Sequence, residues 1–168
     1  MSKWNDGPNG SYWDIKEKHY ETTEYLRYHA KEAVAFALAV ETMQKEGINL
    51  PKGLHYTDAE SQFGEVRKQI GAVVTKAKGL TFDDASPELK KALTKEPKEL
   101  RDMAIGWEYF DKVCQNQEKR IKDEDVAHIG YYSHYGKAID VPEIIKKIKD
   151  RESLLSNTKA LKGKEIVD

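Results

Sequence analysis

The sequence is short of residues that carry many kinds of protein chemistry, beginning with cysteine. Cys114 is the only cysteine among the 168 residues, which excludes an internal disulfide and a zinc site built from several thiolates. No apolar run approaches the ~18 residues of a membrane-spanning helix, and no charged start precedes an apolar stretch as in a signal peptide. We therefore expect a soluble protein of the cytoplasm.

An excess of charge of one sign is also lacking. Twenty-eight Lys and Arg face 29 Asp and Glu, which leaves a formal charge of −1. So small a net charge gives no global field that would attract nucleic acid or an anionic membrane. In residues 130–168 eight basic residues exceed six acidic ones, but duplex binding needs a denser basic stripe. We expect neither nucleic-acid binding nor membrane insertion.

Alternation of apolar and polar residues with a period of two, the pattern of half-buried strands, is missing as well. Apolar residues instead recur at steps of three and four, which predicts an all-α fold, an antiparallel bundle of about four to five helices. Residues 1–13 hold two Gly, one Pro and two Asn and are predicted to form an irregular N-terminal arm. Residues 14–155 form the predicted bundle domain. Ser, Asn and Thr at 156–158 predict a break there and a loosely held tail over 156–168.

The first predicted helix begins near Ser11 and ends where Gly47 and Pro51 supply a stop. Its apolar stripe follows steps of four and three through Leu26, Ala30, Ala33, Ala37 and Val40. Aromatic residues lie on a second side of this helix, namely Tyr25, Tyr28 and Phe36. A helix with two such sides is either a subunit surface or a central helix wrapped by its own neighbours.

The second predicted helix carries the clearest start signal, a capping box formed by Thr57 and Glu60, and ends at Gly79. Its core positions are Ala59, Phe63, Val66, Ile70, Val73 and Ala77. Gly64 and Gly71 lie seven residues apart, on nearly one side of this helix. Two glycines there predict the close approach of another backbone, at a cost in helix propensity of about 1 kcal/mol each.

Three more helices follow from proline and cap signals. Ser86 caps a short helix that has Pro87 at its first position and ends by residue 96. Pro97 opens a long helix whose core stripe is Leu100, Met103, Trp107, Phe110, Cys114, Gln117 and Ile121. Asp140 caps the last predicted helix, which buries Val141, Ile144, Ile145 and Ile148.

Signatures of catalysis and of cofactor or metal binding are missing from the sequence. A di-metal bundle requires Glu-x-x-His on two helices, and the nearest approaches here are the reversed pair His29 and Glu32 and the pair Asp125 and His128. Cys114 occupies a core position, where a thiol is a small apolar filler with a raised pKa. No Gly-rich phosphate loop and no Gly-x-Ser-x-Gly motif occurs. We predict no catalytic residue, no metal and no cofactor.

Aromatic residues outside the helical stripes are the most suggestive feature of the sequence. Large rings in irregular segments either staple those segments to the bundle or contact another molecule. Tyr and Trp suit contacts with a protein because they bury much area for little side-chain entropy. The candidate interaction residues are Trp4, Tyr12, Trp13, Tyr25, Tyr28, Tyr131, Tyr132, His134 and Tyr135.

Two functional hypotheses follow from these residues. The first is a non-catalytic helical interaction protein, a small subunit or adaptor of a larger assembly that binds a protein partner or associates with itself. The alternative is a helical enzyme, or a binder of a cofactor or small molecule. Its site would lie near the aromatic loop around His134 or on the face that carries His29 and Glu32.

Overall fold

A computed structural model describes residues 12–54, 56, 59, 64–129 and 139–167, and the side chains within 26–54, 56, 59, 64–129 and 139–158. The helices are α1 (Tyr12–Lys45), α2 (Glu65–Lys78), α3 (Pro87–Leu93), α4 (Lys98–Glu118), α5 (Asp123–Val126) and α6 (Val141–Val167), with a 3-10 turn over Phe82–Asp84. No strand occurs among these residues, and the helix packing is that of a bundle, so the all-α prediction is confirmed.

The chain divides into two compact units. Unit 1 contains residues 1–31 and 121–168, and unit 2 contains residues 32–120. Because α1 runs through residues 31 and 32, it supplies its first part to unit 1 and its last part to unit 2. The predicted division into an arm, a bundle domain and a tail stays a prediction.

Most of the start and stop signals act as predicted. Gly79 ends α2 in the left-handed conformation, with a φ of 63°, where a side chain would be strained. The hydroxyl of Ser86 accepts a hydrogen bond from the Leu89 amide at 3.2 Å and caps α3. Asp140 does the same for α6, because its Oδ1 accepts from the Glu143 amide at 3.1 Å. Gly47, with a φ of 83°, lies just beyond the end of α1.

Several boundaries differ from the predictions. The predicted start of the first helix near Ser11 is confirmed, because α1 begins at Tyr12, whereas the irregular arm was predicted to reach residue 13. The capping box of Thr57 and Glu60 lies outside the described residues. Gly64 is not inside α2 but is its N-cap, with an extended ψ of 137°, because this helix begins at Glu65.

The predicted helix break at residues 156–158 is wrong, because α6 continues to Val167. Ser, Asn and Thr lower helix propensity by less than about 1 kcal/mol each, which weakens a helix without ending it. Thr158 also finds a partner within the helix, since its hydroxyl donates to the Leu154 carbonyl at 2.9 Å. Ile144 and Ile148 are fully buried, so the predicted inner face of this helix is confirmed up to that point.

Unit 2 is built around the contact between α2 and α4. Gly71 of α2 faces the backbone of Met103, and Gly106 of α4 faces the backbone of Gly71. The hydroxyl of Thr75 donates to the Asp102 carbonyl at 2.5 Å and ties the same helices together. The prediction that Gly71 permits a close backbone approach is therefore confirmed, and Gly106 supplies the other half of the contact.

This close approach decides which face of α4 is buried. Ile105, Gly106 and Phe110 are the buried residues of the helix, whereas the predicted stripe was centred on larger side chains. Leu100 is 44% exposed and Trp107 only half-buried, so the predicted stripe is displaced toward the edge of the contact. Phe110 is the centre of a core cluster that includes Phe36, Met43, Ile70 and Val74.

Phe36 and Ala35 are buried together with Val34, Leu38 and Ala39, so α1 is enclosed on more than one side in unit 2. For this part of the helix, the interpretation as a central helix wrapped by its own neighbours is the correct one.

Unit 1 is held by charged groups as well as by apolar burial. Its buried apolar side chains are Ala30, Ile121, Val126, Ile129, Ile144 and Ile148. Asp125, only 3% exposed, forms an ion pair with Arg151 of α6. Arg27 of α1 donates from Nε to the Ile129 carbonyl at 2.8 Å and from Nη2 to the Ala127 carbonyl at 3.1 Å.

Candidate interaction surfaces

A groove on unit 2, which we call the Trp107 groove, is a concave surface that bears large apolar side chains. It has a volume of about 500 Å³ and lies along α4, bordered by α2 and α3. Its lining residues are Arg67, Lys68, Leu89, Leu100, Met103, Ala104, Trp107, Glu108 and Asp111.

The wall formed by α3 is fixed through Ser86. The Ser86 amide donates to Glu108 Oε1 at 2.8 Å, and its hydroxyl donates to Glu108 Oε2 at 2.7 Å. Leu93 at the end of α3 is buried in a second cluster with Ala85 and Ile105. The start of α3 is thus bound to α4, and its end is packed in the core. Leu89, which lies between these two attachments, forms a pre-organised side of the groove.

Trp107 forms part of the groove, and its ring has two neighbours, Arg67 of α2 and Phe110 of the core. The guanidinium carbon of Arg67 lies 4.7 Å from the centroid of the Trp107 ring, within the range of a cation–π interaction. The ring centroid of Phe110 lies 5.7 Å from that of Trp107 and connects it to the core. A half-buried Trp next to an Arg, with Leu100 exposed beside them, has the composition of an interaction hot spot.

Two further surfaces carry large apolar side chains. On α6, Leu154 is 67% exposed and Leu155 56% exposed. In unit 1, Tyr28 is 58% exposed and lies in a cleft with Arg27, Lys31, Asp123 and Val126. Single exposed apolar side chains are common on protein surfaces, so these positions are weaker indications than a groove lined by several of them.

Of the residues predicted for interaction, only Tyr28 has a described side chain, and it is exposed as the hypothesis requires. Tyr12, Trp13 and Tyr25 lie within α1, and their side chains are outside the described ones. The other predicted residues lie outside the described parts of the chain: Trp4, Tyr131, Tyr132, His134 and Tyr135.

Residues of the alternative hypothesis, an enzyme or small-molecule binder, each have partners of their own. The His29 ring lies edge-on to Tyr28, with 6.1 Å between the centroids. Glu32 Oε2 accepts a hydrogen bond from the Tyr56 hydroxyl at 2.6 Å. Among the described residues, no group of three or more His, Cys, Asp or Glu is placed to hold a metal ion.

Cys114 is half-buried on α4. Burial raises the pKa of its thiol from 9.0 to about 12, and the nearby carboxylates of Asp111 and Glu118 add to the rise. A thiol with so high a pKa is almost wholly protonated at neutral pH and is a poor nucleophile. The predicted role as an inert filler agrees with this environment.

Sequence reasoning missed the Trp107 groove because it assigned Leu100, Met103 and Trp107 to the core. Gly106 was the signal that would have corrected this assignment. A glycine inside a long amphipathic helix marks the line of closest approach to a neighbour, so the bulky residues beside it are displaced to the edge of the contact.

No family model, no curated protein and no solved structure matches this chain. Within the described part of the chain, no helix combines the length and the apolar composition needed to cross a bilayer.

Proposed function

We propose that this chain is a non-catalytic helical interaction protein, a small subunit or adaptor of a larger protein assembly. The observation that carries the proposal is the Trp107 groove, which places a half-buried Trp, a stacked Arg and an exposed Leu in one concavity of about 500 Å³. Trp and Arg are the residues that most often dominate the energy of protein interfaces, and they do so in pockets near the centre of the contact.

The fixed walls of the groove support the same function. Because Glu108 binds Ser86 through both carboxylate oxygens, a partner meets a surface that is already formed. Pre-organisation of this kind reduces the entropy that association costs. The single cysteine, which excludes an internal disulfide, agrees with a protein of the reducing cytoplasm, which we propose as its location.

Replacement of Leu100 tests the proposal, because this side chain is substantially exposed and supports little of the core. We expect Leu100→Ser to lower the free energy of unfolding by only about 1 kcal/mol and to abolish association with the partner. The measurement compares the two full chains in their native source, through the mass of the assembly that contains them and the polypeptides bound to them.

Leu154→Ser is the matched control, because it makes the same change at an exposed leucine outside the groove. Association that survives Leu154→Ser but not Leu100→Ser supports the Trp107 groove as the interaction surface. If the unaltered chain stays at 19.2 kDa at all concentrations and binds no polypeptide, the proposal is wrong.

A further inference from the structure

The two cations of the Trp107 groove, Arg67 and Lys68, form no ion pair with any carboxylate in the described part of the chain. Both are half-buried, so a carboxylate that reached them would be only partly screened by water. The guanidinium carbon of Arg67 lies over the Trp107 ring, and a guanidinium can form paired hydrogen bonds with a carboxylate.

The two acidic residues of the groove already have partners. Glu108 accepts both hydrogen bonds from Ser86 and lies 3.9 Å from the Lys112 ammonium. Asp111 Oδ2 accepts a hydrogen bond from the Gln115 amide at 3.1 Å. These neutral donors leave both carboxylates charged, so the groove offers positive charge on its α2 side and negative charge on its α4 side, and its lining also contains apolar side chains from α3 and α4.

We infer that the Trp107 groove binds an amphipathic segment of a partner protein in which carboxylates flank bulky apolar side chains. This inference rests on the proposed function and adds the chemistry of the partner. The apolar side chains would fill the space beside Leu89, Leu100 and Trp107, and a carboxylate would meet Arg67. A volume of about 500 Å³ lies within the range of sites that enclose a few side chains of a docked segment.

A selection with random peptides tests the inference and does not require the partner to be identified. The probe is a phage-displayed library of random 12-residue peptides, selected on the full chain and counter-selected on the Leu100→Ser variant. We expect the enriched peptides to combine Asp or Glu with Leu, Phe or Trp. Enriched peptides that are neutral or basic overturn the inference and leave the proposed function standing, whereas no groove-dependent enrichment counts against both.

The contribution of charge is then measured with one enriched peptide. Arg67→Gln should weaken its binding about tenfold or more, because Arg67 is the cation of the groove that lies over Trp107. Lys76→Gln is the matched control, since it removes the same charge from an exposed position of α2 outside the groove. Asp111→Asn should strengthen binding a few-fold, because it removes the carboxylate that opposes the segment.

Salt provides an independent readout of the same contact. Higher ionic strength should weaken binding of the enriched peptide to the unaltered chain, and should do so much less for Arg67→Gln. If Arg67→Gln, Lys76→Gln and the unaltered chain bind the peptide equally at all salt concentrations, the groove recognises apolar groups alone and the inference is wrong.

Discussion

Replacement of Gly71 or Gly106 by Ala should destabilise the protein, although Ala is the better helix former. A Cβ built on Gly71 lies 2.8 Å from the carbonyl carbon of Met103, and one built on Gly106 lies 2.7 Å from the carbonyl carbon of Gly71. Ordinary contacts of a Cβ begin at 3.4 Å, and in both cases the neighbour is backbone rather than a flexible side chain. The two helices must therefore separate along their line of closest approach.

Two effects of opposite sign decide the outcome. Gly→Ala in a helix interior favours folding by about 1 kcal/mol through helix propensity. Forcing an extra methyl group into a close-packed contact costs about 1–3 kcal/mol, and more where backbone must move. Separation of α2 from α4 also disturbs the cluster around Phe110 and the bond from Thr75 to Asp102. We expect a net loss of about 2 kcal/mol for either variant.

Urea denaturation followed by circular dichroism measures this loss. With a slope of about 1–3 kcal/mol per M, a loss of about 2 kcal/mol moves the midpoint down by about 1 M. Ala77 was predicted to be a core position of this helix but is exposed near the end of α2, so Ala77→Gly calibrates the propensity effect alone and should cost at most about 1 kcal/mol. The double variant should lose less than the sum of the single losses, because both methyl groups enter one contact. Variants as stable as the unaltered chain would refute the close approach.

Three further predictions concern individual charged groups and the thiol. Asp125→Ala should cost about 2 kcal/mol in urea denaturation, because it removes the buried carboxylate that pairs with Arg151, whereas the contact of Arg151 with Glu124 is longer at 3.5 Å, and an unchanged midpoint would contradict this role. Cys114 should react with a thiol reagent at pH 8 about 10³-fold more slowly than an unstructured cysteine, since its pKa is about 12, and should react at the ordinary rate in denaturant. The hydrogen bond from Lys31 lowers the pKa of Asp123, so the carboxyl should titrate below its ordinary 3.8 by NMR, and Lys31→Ala should raise the pKa toward that value while the charge of Arg27 still lowers it. The stabilisation from this pair is present above the unfolded pKa and is lost as the pH falls through the lowered one.

The positions of most helices could be predicted because their ends depend on local chemistry. Ser86 followed by Pro87 starts a helix through its own hydroxyl and its fixed φ, and Gly79 ends one through a left-handed φ that other residues rarely adopt. Neither effect needs a distant residue. The four-residue helix α5 was missed because so short an element has no apolar period to detect.

The extent of α6 could not be judged from residues 156–158 because propensity is a weak local preference. Asn157 and its neighbours favour turns only when nothing extends the helix on both sides of them. Here the helix already has fifteen residues before Ser156, from Val141, so nucleation has been achieved and each added residue needs only to propagate it. A cluster of moderately unfavourable residues then remains helical.

The location of the candidate site depends on a contact between two helices, and this is why an apolar period did not reveal it. The period gives the direction of a stripe, but the smallest residues in the stripe determine which line along it touches the neighbour. Because Gly106 is the smallest residue of this part of α4, the line of contact with α2 runs through Gly106 and leaves Trp107 beside it. We therefore expect the same contact to affect both stability and the groove, because Gly71 and Gly106 bring together the two helices that carry Arg67 and Trp107, whose guanidinium carbon and ring centroid are 4.7 Å apart.

This coupling has a measurable consequence for Gly106→Ala. At low temperature and without urea, where the variant is still folded, the separation of α2 from α4 should weaken binding of a peptide selected on the Trp107 groove. Asp125→Ala is the appropriate comparison, because it lowers stability through unit 1 and leaves the contact between α2 and α4 intact. If both variants bind the peptide as the unaltered chain does, the groove does not depend on the glycine contact. Weak binding by Gly106→Ala alone would show that the approach of two backbones shapes the surface beside it.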